Sequence, residues 1–543
     1  MLFIELGLTF LILVAGSRHY LHMLQLESYQ LDGYLRHLER NKNEIFGWSL
    51  YAGAACLIAQ IVLPVLFTLF SGERRQALTT AHILIMVFAA IYCGINIYKD
   101  YVRPQKKPLG ITKRLKRLVL GLIGSALVIC ALFGLILGHR DGETRRLICR
   151  ISPFVLIAGL PFLTYLAALI LQPVENKINM GFYKAAQSKL AARKDMIKIG
   201  ITGSYGKTGT KFALYTILSE KYNVLTSQSS INTPMGLSKL INTELKSEHQ
   251  VFIAEMGARH AGDIKELTDL VHPTMGLITS VGPQHLETFG SIETVAKTKN
   301  ELIEALPHDG VGFFASDGAW VDKLYKKADC EKYISGVGEG DFDLRAENIE
   351  TGAFGSRFTL VGKDGESMVC ETKLLGRHNI SNLLLCCCAA RRLGLTMEEI
   401  ARGLKKITPV EHRLQLLPGY MNVIDDAFNS NPSGAKEALN VLASFPGRHV
   451  VVTPGLVEMG ENENKFNYEL GKHIASCVDA AILVGPRHTK PIRDGMLKAG
   501  FDEKNILTVY TVDEASARIK DFAGAGDAVL FENDLPDNYN EKK

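Results

Sequence analysis

Hydrophobic residues are unevenly distributed along the chain. Before residue 173 they form long, nearly uncharged runs, and after it they alternate with polar residues at the spacings of helices and strands. Five runs are long enough, or nearly so, to cross a bilayer, which takes about 20 apolar residues in a helix. We therefore predict a transmembrane region over residues 1–173, with spans near 2–16, 46–70, 78–98, 118–138 and 152–171. The first run has no basic residue before it and no clear cleavage site, which favours a retained span over a signal peptide.

The loop between the third and fourth runs predicts the orientation. Residues 99–117 hold eight basic residues and one acid, and such loops stay in the cytoplasm. The four arginines of 140–150 would then lie outside, which conflicts in part with the same rule. We expect a multi-pass protein of the cytoplasmic membrane, with its catalytic part in the cytoplasm. The basic residues of 174–195 predict a juxtamembrane helix on an anionic lipid surface, although a solvated connecting helix fits the pattern equally well.

The pattern changes to an α/β type from residue 196 onward. Short apolar runs that read as strands alternate with amphipathic stretches, which predicts parallel sheets covered by helices. We assign 196–409 to a first domain and 410–543 to a second, smaller Rossmann-like domain. Residues 340–375 alternate polar and apolar side chains around glycines and predict a small hairpin layer.

A glycine-rich turn after the first of these strands carries the clearest chemistry. The segment ITGSYGKTGTK follows the apolar run at 197–201, and its spacing is that of a phosphate-binding loop, except that Ile201 stands where the first glycine belongs. Backbone N–H groups of such a loop surround a polyphosphate, and a lysine and a hydroxyl reach the outer phosphates and Mg²⁺. We predict an ATP site in a P-loop ATPase domain, held by Gly203, Ser204, Gly206, Lys207, Thr208 and Gly209. The alternative is a glycine-rich turn with a surface lysine.

Two polar residues follow neighbouring strands of the same predicted sheet. Glu255 ends one strand, and His285 lies shortly after the next. Because ligands gather at the carboxyl ends of parallel strands, both residues could share a magnesium ion with Thr208. On pattern alone, a lone glutamate and a lone histidine are more often ordinary surface or core residues.

Composition excludes some other classes of protein. The formal net charge is only +4, and basic and aromatic residues are not interleaved, so we expect no nucleic-acid partner. The ten cysteines include no CxxC pair, which indicates reduced, structural thiols.

Several longer segments resemble the Mur ligases, the family that builds the peptide of bacterial cell-wall precursors. The likeness is strongest to members that add D-alanyl-D-alanine. Besides the phosphate loop, the matching segments, in family order, are INTPMGLSKLI, FIAEMGARHAGDI, ITSVGPQHLETFGSIETVAKTKNEL, LLGRHNISN, VEHRLQ, DDAFNSNPSG and GLVEMGE. Nothing before residue 195 takes part in the resemblance.

The resemblance implies roles for individual residues. Lys207 would bind phosphate as a catalytic residue, while Thr208, Glu255 and His285 would hold Mg²⁺. Lys299 would be carbamylated and so become an oxygen ligand for a second Mg²⁺, unless it is simply a surface lysine. Arg413 would approach the outer phosphate. The remaining nucleotide contacts would come from His378, Asn379, Asn382, Asp426 and Asn431.

Two departures from the family affect the expected substrate. Membrane spans occupy the place of the family's uridine-diphosphate-sugar domain, and the chain ends GDAVLFENDLPDNYN where the D-alanyl-D-alanine-adding members carry a basic glycine-serine-arginine segment. We therefore expect a membrane-anchored ATP-dependent amide ligase. It would form an acyl phosphate on a cell-wall precursor carboxylate and join it to an amino acid or dipeptide, on a lipid-linked acceptor.

Other functions are compatible with the sequence. The conservative alternative is a ligase that adds D-alanyl-D-alanine to the soluble, UDP-linked precursor. A nucleotide-driven membrane transporter or sensor, and a scaffold with an inactive site, fit the chain less well because the acceptor-side motifs and the Lys207, Glu255, His285 and Lys299 set are intact.

Overall fold

The computed structural model describes most of the chain in two compact units, residues 1–180 and 181–543. The described residues are 2–27, 29–40, 47–71, 74–102, 108–137, 151–284, 286–316, 318–428, 430–457, 459 and 462–534. The predicted outer loop at 140–150 and His285 lie outside them.

The first unit is helical. Its helices are α1 (Leu2–Leu26), α2 (Leu31–Arg40), α3 (Trp48–Ser71), α4 (Arg74–Val102), α5 (Lys113–Leu137), α6 (151–158) and the first part of α7 (Leu160–Ala191). Helices therefore lie at the described parts of all five predicted spans. Among the described residues, α4 and α5 contain stretches long and apolar enough to cross a membrane, and α6 with α7 would make a third span that bends by 78°. The bend falls at Gly159, and Pro161 lies in the first turn of α7, where a proline costs no helical hydrogen bond.

The last part of α7 belongs to the second unit. Ala186 and Leu190 are buried in a hydrophobic cluster with residues of the first sheet and its helices. The Tyr183 hydroxyl donates to the carbonyl of Glu266 at 3.1 Å, and the Gln187 amide donates to that of Asp269 at 2.7 Å. The C-terminal end of α7 is thus packed into the α/β fold.

The second unit begins with a nine-stranded sheet in the order β2-β3-β1-β4-β5-β6-β7-β8-β9. The strands are β1 (Ile197–Thr202), β2 (Val224–Thr226), β3 (Val251–Glu255), β4 (Met275–Ile278), β5 (Val311–Ala315), β6 (Glu331–Val337), β7 (Leu344–Gly352), β8 (Gly355–Gly362) and β9 (Ser367–Thr372). Pairing is parallel from β2 to β7 and antiparallel from β7 to β9. The predicted hairpin layer is therefore the antiparallel edge of the same sheet.

Helices cover both faces of this sheet. They are α8 (Lys207–Leu218), α9 (Pro234–Glu244), α10 (Asp263–Val271), α11 (Leu286–Phe289), α12 (Ile292–Glu304), α13 (Ala319–Lys327), α14 (Arg377–Arg392) and α15 (Met397–Lys406). Successive residues of β3 point to opposite faces: Ile253 joins the cluster under α8 and α14, while Phe252 and Ala254 join the one under α9 and α10. Burial on both faces explains the continuous apolar run.

A second sheet of six strands follows, in the order β10-β11-β15-β12-β13-β14. Its strands are β10 (Gln415–Leu417), β11 (Asn422–Asp426), β12 (His449–Thr453), β13 (Ala480–Val484), β14 (Ile506–Val509) and β15 (Ala528–Glu532), and its helices are α16 (Pro432–Ala443), α17 (Glu463–Cys477), α18 (Lys490–Lys498) and α19 (Val512–Arg518). Only the edge strand β10 pairs antiparallel. The prediction of two parallel α/β sheets is confirmed.

Candidate active site

The phosphate-binding loop follows the central strand β1. Gly203 and Gly206 have φ of 150° and 80°, a region that favours glycine. The loop is fixed to the end of β4: the Ser280 hydroxyl accepts from the Tyr205 N–H at 2.9 Å, and the Thr279 hydroxyl donates to the Tyr205 carbonyl at 2.5 Å. The loop conformation is thus set by the neighbouring strand.

Lys207 opens α8 and folds back over the loop. Its Nζ donates to the carbonyls of Gly203 at 2.6 Å and Ser204 at 3.1 Å. Burial lowers the pKa of Lys207 to about 8, and the negative charge of Glu255 opposes that effect. The ammonium therefore lies within the loop, where a bound phosphate chain would replace the carbonyls as its partner. Gly209 is on the same helix, and a Cβ there would meet no protein atom within 4 Å.

Glu255 ends β3 beside β1 and is 1% exposed. Its Oε1 accepts from the Thr208 hydroxyl at 3.2 Å and from the Asn232 amide at 3.1 Å. Its Oε2 has no hydrogen-bond partner and lies 3.4 Å from Nζ of Lys211. Lys211 was not among the predicted site residues.

A carboxylate and a hydroxyl this close suit Mg²⁺, which binds one or two carboxylates together with substrate phosphates and water. Oε2 of Glu255 accepts no hydrogen bond from the described residues and is paired only with the nearby ammonium of Lys211, so it has a lone pair for a metal ion. Among the described residues, no group of three or more His, Cys, Asp or Glu side chains could hold a metal on its own.

Lys299 lies on α12 and is 1% exposed. Burial lowers its pKa far below the ordinary lysine value, and the positive charge of Lys207 lowers it further. A lowered pKa favours the neutral amine, which is the form that reacts with carbon dioxide to give a carbamate. The structure therefore places the predicted carbamylation target in a suitable environment and close enough to Lys207 for their charges to interact.

The predicted adenine segment begins α14. The side chain of Asn382 lies against the phosphate loop, since a Cβ on Gly206 would come within 2.7 Å of its amide. The Asn379 amide donates to the Leu375 carbonyl at 2.8 Å, within its own turn. His378 is only partly buried, and its Nδ1 lies 4.0 Å from a carboxylate oxygen of Glu437 in α16. Of these three residues, Asn382 lies directly against the phosphate loop.

Arg413 lies in the connection between the two sheets, flanked by two non-glycine residues with positive φ, His412 at 60° and Leu414 at 43°. Its guanidinium stacks over Phe428 at 4.7 Å. Burial lowers the pKa of Arg413, while the negative charges of Glu255 and Asp426 raise it. The positive charge of Arg413 therefore interacts with the carboxylate of Glu255, which lies beside the phosphate loop.

Asp426 and Asn431 belong to the second sheet and its first helix. Burial raises the pKa of Asp426 to about 6, although its Oδ1 accepts from the Leu414 N–H at 3.1 Å. Asn431 caps α16, and its Oδ1 accepts from the N–H groups of Ser433 and Gly434 at 3.1 and 2.9 Å. Asp426 thus fixes the segment that carries Arg413, and Asn431 serves its own helix.

Sequence reasoning also missed Glu532, which pairs with Asp426 in the register of β15 and β11. It is 1% exposed, and its oxygens accept from the hydroxyls of Ser430 and Thr453. Burial raises the pKa of Glu532 to about 8. The signal was present, because Glu532 lies in the acidic segment that departs from the basic segment of the Mur ligases.

The phosphate loop and the charged side chains around it can bind a triphosphate and stabilise negative charge on its terminal phosphate. Lys207 of α8 lies in the loop, Thr208 and Glu255 lie beside it, and Arg413 of the connection is close enough for its charge to act on Lys207 and Glu255. An arrangement of this kind suits phosphoryl transfer, in which positioning and electrostatics supply most of the catalysis.

Two parts of the chain match known domain families. Residues 201–390 match the Mur ligase middle domain, and residues 412–532 match the Mur ligase, glutamate ligase domain. UDP-N-acetylmuramoyl-tripeptide--D-alanyl-D-alanine ligase of Bacillus subtilis (strain 168) is 28% identical over 338 residues, 61% of this chain and 72% of that protein. The protein of the same name from Mycobacterium tuberculosis (strain ATCC 25618 / H37Rv) is 31% identical over 346 residues, 61% of this chain and 66% of that protein.

Two solved structures are also similar to this chain. MurF from Acinetobacter baumannii has a TM-score of 0.60 at 25% identity, over 65% of this chain and 77% of that one. MurF ligase from Thermotoga maritima in complex with ADP has a TM-score of 0.58 at 24% identity, over 65% and 80%. The latter shares the fold.

Proposed function

Because this chain belongs to the Mur ligase family of ATP-dependent ligases, we propose that it joins a carboxylate of a UDP-linked cell-wall precursor to the amino group of D-alanyl-D-alanine. The observation that carries the proposal is that Lys207 lies within the phosphate loop and that Thr208 donates to Glu255 beside it. The charge of Arg413 acts on the same glutamate. The names of the relatives supply the acceptor and the donor.

The residues suit activation of the carboxylate by ATP. Joining a carboxylate to an amine in water is unfavourable, so the acceptor carboxylate first attacks the γ-phosphate and ADP leaves. Lys207 and Arg413 stabilise the negative charge on the phosphate as it is transferred. The resulting acyl phosphate is then attacked by the amine of the donor, and inorganic phosphate leaves as the amide forms. Water must be excluded in between, because it would hydrolyse the acyl phosphate.

Thr208 and Glu255 would hold Mg²⁺, which would supply Lewis-acid stabilisation of the phosphate oxygens. His285 remains a predicted ligand of the same ion. A carbamate on Lys299 would place a negative charge near Lys207, which suits a second Mg²⁺.

The lipid-linked acceptor expected from the sequence gives way to its alternative. The relatives named above are ligases of a UDP-linked precursor. The two matching Mur ligase family domains lie in the two α/β domains of this chain. We therefore make the UDP-linked acceptor the main proposal and treat the lipid-linked acceptor as an outcome of the test.

We also propose that the first unit lies in the cytoplasmic membrane. Helices α4 and α5 carry apolar side chains that are about half exposed or more, and soluble proteins rarely expose an apolar surface of this extent. They include Leu84, Val87, Phe88, Ile91, Leu120, Leu127 and Val128. The test is extraction of native membranes with alkaline carbonate. The protein should remain in the pellet, and its release into the supernatant would contradict this location.

The acceptor is tested by offering purified protein Mg·ATP and D-alanyl-D-alanine with either the UDP-linked tripeptide precursor or its lipid-linked form. Phosphate release and the product mass are measured. We expect amide product with the UDP-linked precursor, none with Lys207→Met, and wild-type rates with Lys239→Met, which changes an exposed lysine on α9. Product formed only from the lipid-linked acceptor would overturn the proposal, as would an unchanged rate in Lys207→Met.

A further inference from the structure

Lys211 is buried completely, which is unusual for a lysine. It lies one helical turn after Lys207 on α8, so both side chains leave the same face of the helix. The two lysines nevertheless have different partners. Lys207 contacts the phosphate loop, and Lys211 contacts the segment that follows β2 and the end of β3.

Three oxygens surround the ammonium of Lys211. Nζ lies 2.6 Å from the Ser229 carbonyl, 3.0 Å from the Ser227 hydroxyl and 3.4 Å from Oε2 of Glu255. The first two partners fix the ammonium in place, and the third is the carboxylate proposed to bind Mg²⁺. None of the contacts is with the phosphate loop itself.

The carboxylate of Glu255 depends on this neighbour. Thr208 and Asn232 both donate to Oε1, and Lys211 is the cation that lies close to Oε2 among the described residues. A buried carboxylate without a compensating charge is strongly unfavourable. Outer partners of this kind orient metal ligands, and their loss commonly weakens metal binding.

We propose that Lys211 is a positioning residue that holds the carboxylate of Glu255 in the orientation that Mg²⁺ needs. Its effect passes through Glu255, without contact between Lys211 and the nucleotide. This inference rests on the proposed Mg·ATP site and is independent of the acceptor and the donor, so its test uses nucleotide binding alone.

The experiment is a double-mutant cycle on the full chain with Lys211→Met, Glu255→Gln and the combination of both. Calorimetry measures the affinity for ADP with Mg²⁺ and with EDTA. Lys211→Met should weaken Mg·ADP binding by about 10–100-fold and leave ADP binding in EDTA within about twofold. In the Glu255→Gln background, Lys211→Met should add less than about twofold, because coupled residues are not additive. Lys239→Met is the control and should behave as wild type.

Two results would overturn the proposal. One is an equal loss of ADP affinity with and without Mg²⁺, which would mean that Lys211 supports the phosphate loop. The other is an additive effect in the cycle, which would mean that Lys211 does not act through Glu255. If Lys211→Met alone does not fold, recovery of folding in the Glu255→Gln background supports the proposal, and failure in that background contradicts it. Failure of the acceptor assay would leave all of these results intact.

Discussion

Replacing Gly203 by alanine should destabilise the phosphate loop and weaken nucleotide binding. Gly203 has φ of 150°, and a Cβ at this position would come within 2.0 Å of the Thr279 hydroxyl and 2.9 Å of the Ser280 backbone nitrogen. The hydroxyl could rotate away, but it would lose its hydrogen bond to the Tyr205 carbonyl. The backbone nitrogen has no such freedom, because Ser280 directly follows Thr279 at the end of β4.

The cost follows from two terms. An unfavourable backbone region costs about 1–3 kcal/mol for a residue with a side chain, and loss of one or two hydrogen bonds costs about 1 kcal/mol each. The free energy of unfolding of the first α/β domain should therefore fall by roughly 2–5 kcal/mol. At about 2–4 °C per kcal/mol for a domain of this size, the melting temperature should drop by at least roughly 4 °C.

Thermal unfolding with and without Mg·ADP measures both the loss of stability and the loss of nucleotide binding. Gly203→Ala should melt earlier and should lose most of the stabilisation by Mg·ADP, because the loop can no longer present its N–H groups. Gly181→Ala is the matched control: it lies in α7, outside the predicted ATP site and with free space around it, and alanine favours a helix over glycine by about 0.5–1 kcal/mol. It should melt slightly later than wild type. A Gly203→Ala protein that melts and binds Mg·ADP like wild type would refute this reasoning.

Three further changes test the charges of the site. Because the pKa of Lys207 is about 8 in the free protein, ADP affinity in EDTA should fall as pH rises above that value, by up to about tenfold per unit; calorimetry should show no such trend for Lys207→Met. Lys299 should give a carbamate signal in ¹³C NMR when ¹³C-bicarbonate is added, and a signal that persists in Lys299→Met would place the carbamate elsewhere. Glu532 has a pKa raised to about 8, so its contribution to stability is full below the unfolded value near 4.5 and is lost as pH rises through 8. Glu532→Gln should therefore flatten the decline of melting temperature between pH 5 and 9, and an unchanged decline would contradict the assignment.

The strands that can be predicted from the sequence are those whose residues are buried along nearly their whole length. The sequence predicts strands at 251–255, 449–453 and 480–484, and β3, β12 and β13 have these bounds because the apolar run in each is buried on both faces. Strands β5 and β6 were not predicted. The first is a short run of five residues beginning Val-Gly, and the second mixes Glu331 and Lys332 with apolar residues. Their place in the sheet comes from pairing with β4 and with each other, which is a long-range property.

The residues of the candidate site also divide into those that stand together in the sequence and those that only the fold brings together. Lys207 and Thr208 were predicted because the glycines, the lysine and the hydroxyl stand together in the sequence. Lys211 was missed because a lysine on a helix normally indicates a solvated face, and only the approach of β3 shows that this one is covered. Asn431 is a different case: an asparagine before a proline also predicts a helix start, which the structure confirms, and its contact with the nucleotide stays a prediction.

The continuity of α7 decides where the chain could be cut. A catalytic fragment that started at β1 would lack Ala186 and Leu190 and would leave a cavity in the cluster that holds Phe252. A protease site inserted next to Gly181 would keep those side chains, but it would interrupt a helix. Separating the two units therefore calls for a cut on the N-terminal side of this packed segment, with an engineered helix cap in place of the missing turns.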